Sequence, residues 1–352
     1  LILAGGKGTR LRPITHTSAK QLVPVANKPI LFYGLEAIRD AGITEIGIVV
    51  GDTAAEVESA VGDGSKFGTK VTYIPQEAPL GLAHAVKISQ GFIGDDPFVM
   101  YLGDNLLSGG IEGFVKEFVE GDYDSQILLA RVDNPSDFGV AELDGGRVVG
   151  LEEKPKKPKS DHALVGVYMF TSKIFEATGK IKPSWRGELE ITDAIQYLID
   201  QNYVVNSHVV DGWWKDTGKL EDMLDANRMI LTAAQPSPVD PDRLEDSEVH
   251  GSVQLDEGVT VQRSVLRGPC IVGRGAAIVD SYVGPFTSIG PDTRIERSEI
   301  ENSIVLENCT ITDIGNRIDG SLIGKNVKIT RRDKPPRNYG FMVGDNSEIT
   351  VL

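Results

Sequence analysis

The chain has 352 residues, 40% hydrophobic and 25% charged, with 36 Lys and Arg against 51 Asp and Glu for a net charge of -15. That length and composition exclude long disorder and suit two domains with full cores. The acidic balance argues against a nucleic-acid or acidic-membrane partner, because both require a basic face. A phosphate ligand would therefore need a local basic cluster.

No apolar run is long enough to cross a bilayer, and no charged leader with a small-residue cleavage site is present. The sequence opens in mid-strand at Leu1, so further residues are expected to precede it. Cys270 and Cys309 form no CxxC motif and are expected as small core residues in a reduced, cytoplasmic compartment.

Apolar runs at 1–4, 46–50, 71–74 and 98–102 predict buried strands, and 31–41, 54–61, 82–91 and 111–120 predict the helices between them. This alternation predicts an α/β fold: a Rossmann-like, mixed, mostly parallel sheet with flanking helices. After Gln126 the pattern turns more antiparallel, with Asp144-Gly145-Gly146 as a hairpin turn. Two more helices are predicted at 191–200 and 220–231. The chain changes character at Ala234-Gln235-Pro236-Ser237-Pro238, which sets an expected N-terminal domain at 1–234 and a linker at 235–250.

From 251 to 352 a six-residue period takes over. Val253, Val259, Val265, Ile271, Ala277, Val283, Ile289 and Ile295 are evenly spaced. The register slips, resumes at Val305, Ile311, Ile323 and Ile329 with Arg317 breaking it, and ends on Val343 and Ile349. This spacing predicts a left-handed hexapeptide β-helix. Such a domain serves as a spacer, an assembly surface or an acyltransferase. None of His16, His84, His162, His208 and His250 lies in the regular coils after 250, so a general base for acyl transfer is missing there. Assembly of a homo-oligomer, a dimer or tetramer, through the coils is the expected role.

The chemistry sits near the start. Leu3-Ala4-Gly5-Gly6-Lys7-Gly8-Thr9-Arg10-Leu11-Arg12-Pro13 follows the first strand, where a glycine-rich backbone can approach phosphates with its N–H groups. It is neither a Walker A loop nor GxGxxG, and taken alone it equally suits an ordinary turn. Arg10 and Lys20 nearby give it weight.

With Lys20-Gln21-Leu22-Val23-Pro24-Val25-Ala26-Asn27-Lys28-Pro29, this loop resembles the sugar-1-phosphate nucleotidyltransferases. The resemblance continues through Gln76 with Pro79-Leu80-Gly81-Leu82-Ala83, Leu102-Gly103-Asp104-Asn105, Phe138-Gly139-Val140 and Glu152-Glu153-Lys154-Pro155. It ends with Arg186-Gly187-Glu188-Leu189-Glu190-Ile191-Thr192-Asp193 and Trp214-Lys215-Asp216-Thr217-Gly218. Lys20-Gln21 is similar to the branch that transfers thymidylyl groups to glucose 1-phosphate, and the repeat domain to its longer form in deoxysugar pathways.

The implied reaction converts dTTP and glucose 1-phosphate to dTDP-glucose and pyrophosphate by in-line displacement at the α-phosphorus. The sugar phosphate is already a dianion, so the need is for cations and metal-holding carboxylates. The resemblance implies Arg10 and Lys20 at the reacting phosphates and Lys154 at the sugar phosphate. Lys156, Lys157 and Lys159 read as a solvated loop. Asp104 and Asp216 are implied to share Mg²⁺. Leu3, Ala4, Gly5, Gly6, Gly8, Thr9, Gln21 and Pro79 are expected along the nucleotide, with Gln76 and Gly81 reading the base. Asn105, Gly139 and Glu153 are expected at the sugar, with Val167 against the ring. Glu188 reads either as a sugar contact or as part of a capped helix start. Trp185, Trp213 and Trp214 read as packing residues, and Tyr33 as core.

Two departures stand out. Lys215 replaces the usual leucine before Asp216, and the β-helix replaces the short helical tail that helps form a regulatory nucleotide site in compact members. Competing readings are transfer of another nucleotide, with uridylyl transfer foremost, and a non-catalytic regulatory subunit.

Overall fold

The computed structural model describes residues 1–6, 8–16, 19–235, 239–331 and 341–350. Lys7, Pro236, Ser237 and Pro238, all within the motifs above, lie outside the described residues. The chain falls into two compact units. Leu1–Lys7, Ser18–Leu22 and Ile30–Asp216 form the first; Gly8–Thr17, Val23–Pro29 and Thr217–Leu352 form the second.

The first unit is built on a nine-stranded mixed sheet. Its central strands, Phe98–Leu102, Ile2–Leu3, Glu45–Val50 and Lys70–Pro75, run parallel in that spatial order. His162–Phe170 lies antiparallel beside Phe98–Leu102 and carries the more antiparallel half of the sheet. Side chains alternate between faces along each strand. Thus Leu3, Val49 and Met100 enter one buried cluster, while Ile2, Ile48, Val50 and Tyr101 enter the other.

The expected helices form at Ile30–Asp40, Ala54–Val61, Glu112–Glu120 and Ile191–Asp200. The stretch expected as one helix at 82–91 divides into Leu82–Ile88 and Gln90–Ile93. Ser89 stands at the junction and donates its hydroxyl to the Ala85 carbonyl at 2.7 Å. Such back-bonding competes with the helical ladder and bends it. Gly139–Asp144 and Arg147–Glu153 form the expected hairpin, with Gly145 and Gly146 at φ 56° and 86°. Two left-handed residues in a two-residue loop match the right-handed twist of the strands.

The second unit contains the left-handed β-helix, with parallel sheets of six, four and five strands. Its first strand, Leu244–Glu245, lies inside the segment expected as linker. Val261 stands over Leu244, Ile278 over Val261 and Ile295 over Ile278, so a coil here takes 17 residues. A strict six-residue period would need about 18 for three faces. The phase therefore slips by one, which corrects part of the sequence reading. Leu266, Val272 and Ile278 are wholly buried, whereas Val265 and Ala277 are half-buried at the strand edges. Val343 and Ile349, expected as a last coil pair, are exposed.

Arg317, the break in the pattern, pairs with Glu299 at 2.9 Å and Glu301 at 3.1 Å. His250 belongs to a coil strand and faces Glu248 at 3.0 Å. Cys270 and Cys309 are buried and unbridged, and burial pushes the Cys270 thiol up to about 12. Among the described residues, no helix is long and apolar enough to cross a membrane.

Candidate active site

Asp104 is the centre of the first unit's site. Phe98–Leu102 ends at a glycine because a Cβ at Gly103 would come within 3.0 Å of the Leu3 carbonyl oxygen. Asp104 therefore emerges at the carboxyl end of a central strand, where α/β sheets gather their ligands. Its carboxylate pairs with the Lys20 ammonium, both side chains being mostly buried. Asn105 donates to Asp104 Oδ1 at 3.0 Å. Burial works to raise the Asp104 carboxyl, but Lys20 and these hydrogen bonds hold it below the usual value.

Asp216 is brought to the same place by a short antiparallel ladder in which Trp214–Asp216 pairs with Asn105–Leu107 and Asp216 stands opposite Asn105. Asn105 was expected at the sugar. The structure gives it different work: it is 2% exposed, and its Oδ1 accepts from Trp214 Nε1 at 2.5 Å and Gly166 N at 3.3 Å. It holds Asp104 and the ladder in place. The pair of carboxylates, with neither His nor Cys, fits a hard cation that completes its shell with phosphate oxygens and water. Among the described residues, no cluster of three or more His, Cys, Asp or Glu forms a self-sufficient metal cage.

Gly5 and Gly6 lead away from the first strand. A Cβ at Gly5 would lie 3.3 Å from Gln76 Oε1, and one at Gly6 would lie 3.6 Å from Gln21 Nε2. The structure thus gathers Gly5, Gly6, Lys20, Gln21 and Gln76. Leu3 and Ala4 are buried, and Ala4 donates its N–H to Val49 at 2.8 Å. Gln21 is 2% exposed, and its Oε1 accepts no hydrogen bond among the described residues. A buried acceptor of this kind calls for a partner.

Gln76 Nε2 faces the Gly81 carbonyl at 3.4 Å and His84 Nδ1 at 3.1 Å, joining the two residues expected to read the base. Burial, then Lys87, lowers the His84 pKa and favours a neutral ring that can accept that proton. Gly81 has φ 102°, and a Cβ there would strike the Leu189 carbonyl. Leu189 N bonds to Leu80 O at 2.7 Å and Ala83 N to Leu189 O at 3.0 Å, which ties the exposed Pro79 loop to the segment before Ile191–Asp200.

Gly139 and Glu153 face each other across the hairpin, and a Cβ at Gly139 would lie 3.1 Å from Glu153 Oε2. Burial, reinforced by Glu190, raises the Glu153 carboxyl above its usual value. Lys154 follows with φ 44°, its N–H held by the Phe138 carbonyl at 3.0 Å. A non-glycine residue keeps this conformation only where its surroundings hold it.

Arg186, to which the sequence reading gave no role, organises the neighbourhood. It reaches Glu153 at 3.3 Å, Glu188 at 3.1 Å and Glu190 at 3.4 Å. Glutamates two and four residues beyond an arginine were the available signal. Val167 does not join this group: it is wholly buried in the sheet core opposite Tyr101. Trp214 packs edge-on to Phe138, but Trp185, expected as packing, is 83% exposed.

Gly8, Thr9 and Arg10 belong to the second unit. Gly8 has φ 59° and precedes the short helix Thr9–Leu11; its carbonyl accepts from Thr15 at 2.6 Å. Arg10 is exposed on that turn.

A nucleotidyl transferase family model matches residues 1–233. The chain is 57% identical over 353 residues to a glucose-1-phosphate thymidylyltransferase of Streptomyces antibioticus, covering 100% of this chain and 99% of that one. It is 47% identical over 359 residues to the low-salt glycan biosynthesis nucleotidyltransferase Agl11 of Haloferax volcanii, with 100% and 99% covered. Among solved structures, a Bacillus anthracis protein assigned as a glucose-1-phosphate thymidylyltransferase, in complex with a sucrose, superposes with a TM-score of 0.62. It shares 38% identity and covers 65% of this chain and 93% of its own. A UDP-glucose pyrophosphorylase complexed with UDP-glucose gives 0.60 at 25% identity, covering 66% and 98%.

Proposed function

The chain belongs to the nucleotidyl transferase family, and from that premise we propose that it transfers a thymidylyl group from dTTP to glucose 1-phosphate. A sugar-phosphate oxygen forms a bond to the α-phosphorus as the bond to pyrophosphate breaks. The observation that carries this reading is the Lys20–Asp104 pair at the strand end, with Asp216 opposite Asn105.

Two polyanions must be brought together, and stabilising their charge is the main task. Lys20 supplies a positive charge at the reacting phosphates and exchanges Asp104 for substrate oxygens. Arg10 offers a planar guanidinium that can bridge two phosphate oxygens. Lys154 takes the sugar phosphate, and Gly139 and Glu153 take glucose hydroxyls, with Glu188 at the edge of the same cluster. Gln76 and Gly81 read the thymine imide edge. Gln21, with its buried Oε1, receives a donor from the nucleotide. We assign Mg²⁺ to Asp104 and Asp216; when bound, it neutralises phosphate charge.

We further propose that residues 1–234 are the catalytic domain, that 251–352 assemble the chain into a homo-oligomer, and that it works in the cytoplasm. Sedimentation at the monomer mass would remove the assembly role.

The test is pyrophosphate release with glucose 1-phosphate, Mg²⁺ and each of dTTP, UTP, GTP, CTP and ATP. dTTP should be used fastest, and EDTA should abolish release. The uracil base of UTP lacks only the methyl group of thymine, worth roughly 10- to 200-fold in a hydrophobic pocket. A specificity constant for UTP at or above that for dTTP would overturn the base assignment.

A further inference from the structure

The second unit contains more than coils. Its first pieces in sequence are Gly8–Thr17, which carries Arg10, and Val23–Pro29, which directly follows Lys20-Gln21-Leu22. We propose that the β-helix positions these two segments for catalysis, with Asn27 and Asn227 as the positioning residues. The inference rests on the thymidylyl-transfer reading.

Val25 pairs with Lys28 across a tight turn whose central residues, Ala26 and Asn27, have φ 48° and 60°. An alanine there is strained and persists only where its surroundings hold it. The hold comes from Asn227 on the helix Leu220–Ala233, a side chain 0% exposed. Its Oδ1 accepts from Ala26 N at 2.8 Å and from Ser288 Oγ at 2.6 Å, while its Nδ2 donates to Phe286 O at 2.8 Å. One buried amide thus joins turn, helix and coil with its donor and acceptor sides both used. Asn27 adds a second tie, donating from Nδ2 to the Ile289 carbonyl at 2.8 Å.

The Arg10 segment rests on later parts of the same unit. A Cβ at Gly324 would lie 3.8 Å from Ile14, and one at Gly344 would lie 3.1 Å from Pro13. The segment that carries Arg10 and the segment that directly follows Lys20-Gln21-Leu22 are therefore both fastened to repeat-domain backbone. A domain that only joined subunits would need no such ties.

The experiment uses the full chain and measures pyrophosphate release against dTTP concentration. Asn27→Gly keeps the left-handed turn and removes the side-chain donor; Asn27→Asp keeps the shape, removes the donor and sets a carboxylate against the Ile289 carbonyl. Asp280→Gly, on an exposed coil corner remote in sequence from both segments, is the control. A change that only destabilises the fold lowers the active fraction, and with it apparent kcat, at unchanged KM. Both Asn27 variants should instead raise the KM for dTTP, lowering kcat/KM roughly fivefold, the scale of one lost hydrogen bond. Asp280→Gly should leave KM unchanged. Unchanged KM in both Asn27 variants, with an active parent, would overturn this inference alone. No release by the parent chain with any nucleotide would overturn the functional reading and this inference with it.

Discussion

Arg186 and Arg263 both face carboxylates, in different surroundings. Arg186 is 25% exposed and is shared by three glutamates, of which Glu190 is only 4% exposed. Arg263 grips Asp280 through two hydrogen bonds of 2.7 and 2.8 Å on an open coil corner, with side chains 47% and 38% exposed. Two coils further on, Arg297 repeats the arrangement with Asp313. Buried charges carry a desolvation penalty that their partners only partly offset, whereas exposed pairs are screened and add little. The α/β unit thus concentrates costly charge in the cluster proposed to take the sugar, and the β-helix uses the same side chains to line up its coils.

Three substitutions would break the buried half of that comparison. Asp104→Asn should have the largest effect: at least a hundredfold loss of Mg²⁺-dependent pyrophosphate release, the scale of losing a group that stabilises developing charge. Near-normal turnover would remove Asp104 from the site. Arg186→Met comes next. It leaves Glu153 and Glu190 buried without this cation, a loss of about 3 kcal/mol in denaturant unfolding, and should raise the KM for glucose 1-phosphate. Lower stability with unchanged KM would make the cluster purely structural.

Glu153→Gln sharpens the point because its two effects oppose. The folded state raises the Glu153 carboxyl above 4.5, burial being the largest cause and Glu190 the next. Its favourable contribution is full below the unfolded value and is lost as pH rises through the folded one. The glutamine variant should therefore be the more stable protein at pH 7, and that advantage should shrink as pH falls through the raised folded value and be gone below about 4.5. Its KM for glucose 1-phosphate should rise about tenfold, since a hydroxyl bonds more strongly to a carboxylate than to an amide. Greater stability with unaltered KM would place Glu153 outside the sugar site.

The two units also differ in what their sequences disclose. In the first, the run at 98–102 ends where the strand ends, so Asp104 could be placed at a strand terminus from sequence alone. The company it keeps could not. Asn105 turned inward because of Trp214, more than a hundred residues later, and Val167 fell on the core face of its strand. Both depend on strand pairing, which local pattern does not encode.

In the second unit the repeat was plain and its inward phase held at Val253, Val259, Val283, Ile289 and Ile295, but it slipped at Val265, Ile271 and Ala277, because a coil of 17 residues moves the core there to Leu266, Val272 and Ile278. The better guide was polar. Asp246-Ser247, Arg263-Ser264, Asp280-Ser281 and Arg297-Ser298 recur at the true coil length. Each serine hydroxyl from Ser247 to Ser281 accepts the N–H of the next serine, at 3.0 to 3.2 Å. Alternating acid and base beside that ladder marks the register that hydrophobic spacing alone missed.

The smallest expected effect tests the exposed half. Asp280 sits at φ 48°, between Arg263 and Arg297 in the corner column. Its carboxyl is held low chiefly by the hydrogen bond from Arg263. Asp280→Gly removes that partner but also relieves an aspartate from a left-handed conformation. It also loosens the unfolded chain, which acts against folding. These terms oppose one another, so thermal unfolding should shift only slightly, and less at high salt than at low, because salt already weakens an exposed pair. A large loss independent of salt would mean that the corner column bears the fold as the buried pairs do, and the contrast between the two units would fail.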